Sequence, residues 1–519
     1  MEMKHIKIFI GLALLLCLAA SSPGLIGQQG RPEPTKDFIE FRTAARIQDP
    51  ALRLKELEHV LATYPSSSYK KQIEKAIIGA KVEMSVNLTE ILALQKQALD
   101  QAQGAERLET LYSAAMDLIE HPALARFEAK VASAAVLDYA AQGLKLAADE
   151  EFLKSLPQEV KPYLSMFAQY FLQTRAQAYL LTKEADPALR ALDEYKAKGG
   201  DQDAVYAYLM ATAKALQGQD KDALDYYFQA AVGNYLDSRD KAIKYYKKIN
   251  GSTEGFEAKL EARQRELPFH PQPFQVGPEW KGKAVLVELF TGSECPPCVA
   301  ADLAVDGLLE TFSPKYLAVL EYHLPIPRPD PLMNHATALR AKHYGVRSTP
   351  SLFFDGQPLT GGGGPTSLAK AKYQLYLEEI RRRINADPGL KLGLTATRLG
   401  DDVQVAYTLD KILDNAGYHI ALVQKEEKFG GGNGIIFHKM VVREFKTLED
   451  VPGLTGRLTI NLPASEQAAQ ERITAYERQM SFKFKEKHTA IDRGQLRVVF
   501  FTQDKSSGKV YAAAVADVK

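Results

Sequence analysis

The stretch Val285-Leu286-Val287-Glu288-Leu289-Phe290-Thr291-Gly292-Ser293-Glu294-Cys295-Pro296-Pro297-Cys298 constrains this chain most. An apolar strand runs into a turn that delivers two cysteines separated by two residues, and a helix-forming segment, Val299 to Phe312, follows at once. Cys295 then stands at a helix start, where unpaired N–H groups and the helix dipole favour a thiolate. Cys298 lies one turn further on, within reach of a mixed disulfide on Cys295. Strand, C-x-x-C, helix is the redox form of this motif. Half of a zinc site and a purely structural disulfide are the competing readings. Zinc takes four ligands, no second cysteine pair exists, and His323 and His335 stand well along the chain. No metal and no other cofactor is therefore expected.

The chain has 519 residues, enough for several domains, with 46% apolar and 25% charged residues and a formal net charge of +1. That balance argues against a nucleic-acid surface. Lys4 and Lys7 precede the apolar run Ile8 to Ala20, and small residues follow. Residues 1–22 read as a cleavable export signal, which leaves no transmembrane span; a retained N-terminal anchor is the alternative. The remaining cysteines besides Cys17 are the pair itself. A periplasmic or otherwise exported protein with a single C-x-x-C fits a redox device in an oxidising compartment.

Residues 23–36 form a linker, and residues 37–266 are helical in pattern, with apolar residues recurring at three and four and helix stops at Pro65, Pro122, Pro157, Pro162, Gly199-Gly200 and Gly251. Ala191-Leu192-Asp193-Glu194-Tyr195 echoes Ala223-Leu224-Asp225-Tyr226-Tyr227 at nearly a helical-hairpin period, and Ala223, Tyr227 and Ala230 resemble part of a tetratricopeptide (TPR) repeat. The expectation is a TPR-like helical array whose tyrosines pack between helices and whose concave face suits a protein partner.

Residues 267–282, rich in proline, read as a linker. From 283 to 387 the order is strand, cysteine pair, helix, a strand at Tyr316–His323, a loop with four prolines to Pro331, a helix from Leu332 to His343, then Thr349-Pro350 before a short apolar strand and a closing helix, Ser367 to Ile384. This pattern resembles the thioredoxin superfamily. The resemblance implies that Cys295 is the attacking thiolate and Cys298 the resolving thiol. It also implies that Pro350 is cis and faces the disulfide, and that the backbone of Thr349 pairs with a bound substrate chain. Glu288 stands one residue out of register with the family's buried acid. It is either a proton acceptor for Cys298 or a solvated edge residue. His323 and His335 flank the proline-rich insertion and read as a strand-end and a helix-surface histidine; the alternative is that either stands near Cys295 and stabilises its thiolate. Glu288 to Gly292, Asp330-Pro331 and Ala338 to Gly345 resemble exported bacterial Omp28-related proteins over residues 283–519, which couple such a domain to a β-rich one.

Residues 388–519 alternate as strands at Lys391–Thr397, Val403–Leu409, Tyr418–Val423, Leu454–Leu462, Leu496–Thr502 and Lys509–Val518, which suggests an all-β, sandwich-like domain. Phe429-Gly430-Gly431-Gly432-Asn433-Gly434 reads as a flexible loop. The expected protein is multidomain: helical array, α/β thioredoxin-like domain, β sandwich. The expected activity is thiol–disulfide exchange with exported protein substrates and a redox partner protein. Because Pro296 and Pro297 lack N–H groups, the couple is expected on the reducing side, below about −180 mV. The alternatives are a non-catalytic adaptor and an assembly factor for envelope proteins.

Overall fold

The computed structural model describes residues 35–156, 164–200, 203–275, 277–448 and 453–519. The expected export signal at 1–22 lies outside them. The chain divides into two compact units, one built almost wholly from residues up to Phe256 and the other from Glu257 onward.

Among the described residues the first unit holds twelve α-helices, from Lys36–Ala45 to Ser238–Asn250, and the next helix, Phe256–Gln264, carries the chain into the second unit. The first unit's helices stop where the sequence says they must: at Thr63 before Pro65, Ile119 before Pro122, Ser155 before Pro157, Ala197 before Gly199 and Asn250 before Gly251. The side chains of Asp49, Asn87, Asp149 and Asp203 accept first-turn N–H groups, caps worth about 1 kcal/mol each. Ala191, Leu192 and Tyr195 are buried in one helix, Ala223, Tyr227 and Ala230 in another, so the echoed residues pack between helices.

The second unit runs β1 (Val285–Thr291), α1 (Val299–Thr311), β2 (Leu317–His323), α2 (His335–Tyr344), β3 (Ser351–Phe354), β4 (Gln357–Leu359) and α3 (Ala369–Arg383), followed by β5 (Leu392–Leu399), β6 (Asp402–Leu409), β7 (Ala416–Lys428), β8 (Phe437–Leu448), β9 (Thr455–Asn461), α4 (Leu462–Met480), β10 (Leu496–Asp504) and β11 (Val510–Asp517). The strands form an eight-stranded mixed sheet, ordered β11-β10-β7-β8-β2-β1-β3-β4, and a three-stranded antiparallel sheet, β5-β6-β9. The larger sheet thus crosses the expected boundary at 387/388. Its two parts meet at a single parallel pairing, Glu321 with Val441.

Alternation along β7 and β10 explains why both read as unbroken apolar runs. Tyr418, Ile420, Leu422, Val498 and Phe500 pack with Val403, Val405 and Tyr407 of the small sheet, while Ala421, Val423, Val499 and Phe501 join the core around β1 and β2. A strand buried on both faces has no polar face to show. The sheet also curls: Val510 N–H donates to the Asp355 carbonyl beyond β3, at 2.9 Å.

Two local readings change. The segment expected as all-β contains the nineteen-residue helix α4. Its signal is legible, since Asn461 accepts from Ala464 N–H and is followed by Pro463 and a run of Ala, Glu and Gln. The expected linker at 267–282 is partly docked. Phe269 is buried and stacks on Tyr373 with ring centres 4.9 Å apart. Gly307 inside α1 makes room for it, because a Cβ there would lie 2.7 Å from the Phe269 ring.

Candidate redox site

Cys295 precedes a one-turn 3-10 helix, Pro296–Cys298, and α1 begins at Val299. Cys298 N–H donates to the Cys295 carbonyl at 3.0 Å, and Val299 N–H to that of Pro296. The two prolines withhold the first two N–H groups of the turn, so the dipole that Cys295 meets is weakened at its source. The cysteines are joined in a disulfide, with Cα atoms 5.4 Å apart.

The structure brings Thr349 and Pro350 to this pair. The Thr349–Pro350 bond is cis, as is Ile326–Pro327. Thr349 Oγ1 lies 3.3 Å from Cys295 Sγ and 2.9 Å from the Ile326 carbonyl. Both cysteines are fully buried, while Pro296 and Pro297 between them are exposed. A thiol approaching Cys295 therefore has to displace its cover, and the contact between Thr349 and the Ile326 carbonyl is part of that cover.

The turn before Cys295 is held from both sides. Asp330, in the proline-rich segment, accepts from Ser293 N–H at 2.7 Å and Leu332 N–H at 2.8 Å, and lies 3.0 Å from His323 Nδ1. Burial alone would raise its carboxyl; His323 and the two backbone donors outweigh that and hold it below its ordinary value. His323 is thus a buried support for the turn, whereas His335 pairs with Glu444 at 2.9 Å. On the other side, Asn433 N–H donates to the Ser293 carbonyl at 3.0 Å.

Glu288 sits elsewhere. It is fully buried, but in register with Leu320 and Phe353. Its carboxylate accepts from Arg340 Nε and Nη2, Tyr322 and Tyr344, which fills both oxygens. Side chains of a strand alternate between faces. The one-residue offset noted in the sequence therefore puts Glu288 opposite the face that carries Leu289 and Thr291.

That other face carries acids the sequence reading passed over. Asp302 stands four residues after Cys298, one turn along the helix, and is buried. Burial, with Asp306 and Asp330 nearby, pushes Asp302 well above the ordinary carboxylate range against the opposing influence of the Thr291 hydroxyl. Burial, with the charges of Asp302 and Asp306, likewise raises Glu321. Burial raises Asp306 to about 7 against the pull of Lys439. The i+4 spacing from Cys298 was the available signal for Asp302. Glu321 sits inside an apolar strand and becomes a neighbour only through the β1–β2 register, Leu289 beside Glu321.

No family model matches the chain, and no curated protein matches it. A crystal structure of a protein from Agrobacterium tumefaciens is similar over 47% of this chain and 95% of that one, with 16% identity and a TM-score of 0.29, too low to carry an argument. Among the described residues, no group of three or more His, Cys, Asp or Glu side chains is placed to hold a metal ion, and no helix is long and apolar enough to cross a membrane.

Proposed function

We propose that this is an exported, thioredoxin-like thiol–disulfide oxidoreductase acting on protein thiols or disulfides. The observation that carries the reading is the approach of Thr349 Oγ1 to Cys295 Sγ, which sets the residue before Pro350 directly against the sulfur expected to react. In the reducing direction, the Cys295 thiolate attacks a client disulfide and expels one client sulfur as thiolate. Cys298, losing its proton, then attacks Cys295 Sγ. The second client sulfur leaves and the Cys295–Cys298 bond re-forms. An external dithiol resets the pair. The helical array and the β-rich segment serve to choose clients.

The complete burial of both cysteines favours a second reading, a non-catalytic adaptor in which the disulfide staples the turn. A Cys298→Ser variant separates the two. Offered a disulfide-bonded polypeptide such as insulin, it should accumulate a mixed disulfide on Cys295 that dithiothreitol releases. No adduct, with the protein folded, supports the adaptor.

A further inference from the structure

The glycine run at 430–434 is ordered against the redox turn. Fixing glycine-rich backbone costs about 1–2 kcal/mol per residue, so a defined path needs contacts that hold it. Asn234 Nδ2 donates to the Gly431 carbonyl at 3.4 Å, and three further bonds reach the redox turn. Asn433 N–H donates to the Ser293 carbonyl at 3.0 Å, and Asn433 Nδ2 to the Gly292 carbonyl at 3.2 Å. Gly432 N–H donates to Glu294 Oε1 at 2.9 Å. Asn433 Oδ1 accepts from Ile435 N–H at 3.0 Å, which fixes the amide with its donor toward the turn. A Cβ on Gly431 would lie 2.5 Å from the Ser293 carbonyl, so only glycine allows this approach. Three successive residues, Gly292, Ser293 and Glu294, are gripped immediately before Cys295.

We propose that this loop is a working part of the redox site and that Asn433 is a positioning residue for Cys295. The inference rests on the thiol–disulfide reading above. Cys295 N–H itself donates to the Gly292 carbonyl, at 3.1 Å, so the atom Asn433 holds is the one that anchors Cys295. A turn held in place keeps the Cys295 sulfur near that of Cys298 after reduction, and a high effective concentration of one thiol at the other stabilises the disulfide. Loosening the turn makes the pair easier to reduce. Reduction by dithiothreitol moves two electrons and two protons: the S–S bond becomes two thiols, and dithiothreitol becomes its cyclic disulfide.

The test uses the full chain as wild type, Asn433→Ala and Asn433→Asp. The Asp variant keeps the acceptor for Ile435 N–H but sets a carboxylate against the Gly292 carbonyl. Each protein is equilibrated with oxidised and reduced dithiothreitol and read by thiol trapping, and unfolding is followed in both redox forms. The expected result is a disulfide about tenfold less stable in each variant, about 30 mV, with the oxidised form losing more stability than the reduced. An unchanged equilibrium, with both forms losing stability equally, makes Asn433 a structural loop residue and overturns the proposal. If Asn433→Ala fails to fold, the isosteric Asn433→Asp decides by the same criterion. A wild-type pair that never exchanges defeats the thiol–disulfide reading instead.

Discussion

Arg340 holds Glu288 through two hydrogen bonds, 2.6 Å from Nε and 2.8 Å from Nη2, with both side chains almost completely buried. A carboxylate so engaged is structural. Removing one partner of a buried ion pair leaves the other charge uncompensated and costs roughly 3–5 kcal/mol. Glu288→Gln should therefore lose stability of that order in urea titrations, while resolution of a mixed disulfide by Cys298 keeps its rate. Slow resolution with stability intact would restore Glu288 as the proton acceptor.

Asp306 gives the fold a pH dependence of definite sign. Burial raises its carboxyl from 3.8 to about 7, with Lys439 opposing and Glu310 and Glu426 adding. A raised folded-state value means that the folded protein binds a proton the unfolded chain has released. The contribution is complete below about pH 3.8 and is lost as pH rises through about 7. At about 1.4 kcal/mol per pH unit it is at most ~4 kcal/mol. Asp306→Asn, which imitates the protonated acid, should be more stable than wild type at pH 8 and should flatten the decline between pH 4 and 7. Parallel profiles for the two proteins would contradict this.

Phe269 changes where the second unit can be cut. The proline-rich segment read as a free spacer, yet its phenylalanine fills a gap beside Gly307 and Tyr373. Limited proteolysis should leave a folded fragment that begins before Leu267. Fragments beginning at Pro271 should be unstable, and Phe269→Ala should cost about 3–5 kcal/mol. A stable fragment starting at Pro271 would show that this contact contributes little.

The parts of the site that follow from nearest neighbours in the chain were legible. Cys295, the turn before it and α1 are consecutive, and Thr349-Pro350 is recognised by its position before β3. The helix stops at Pro65 and Pro122 act through local backbone chemistry and stand where expected. What the sequence hid depends on register and on distant pairing. A single residue decides which sheet face Glu288 takes. Glu321 meets the α1 acids only because β2 pairs with β1. Asn433 reaches Gly292 across 141 residues, and no local pattern encodes that contact. The boundary at 387/388 was placed by composition, but strands buried on both faces carry the sheet across it. Helix α4 differs from these, because its cap and its helix-forming residues were in plain view.

The central claim is that the Cys295–Cys298 pair exchanges electrons in the folded protein. The most direct measurement is equilibration of the purified native chain in glutathione and dithiothreitol buffers of defined potential, with thiol trapping to count reduced cysteines. The expected midpoint lies between about −180 and −300 mV, on the reducing side of a typical protein disulfide isomerase. A midpoint near about −120 mV would reverse the direction of electron flow and make the protein a disulfide donor. A pair that stays closed below about −300 mV, in the range of structural disulfides, would contradict the account outright.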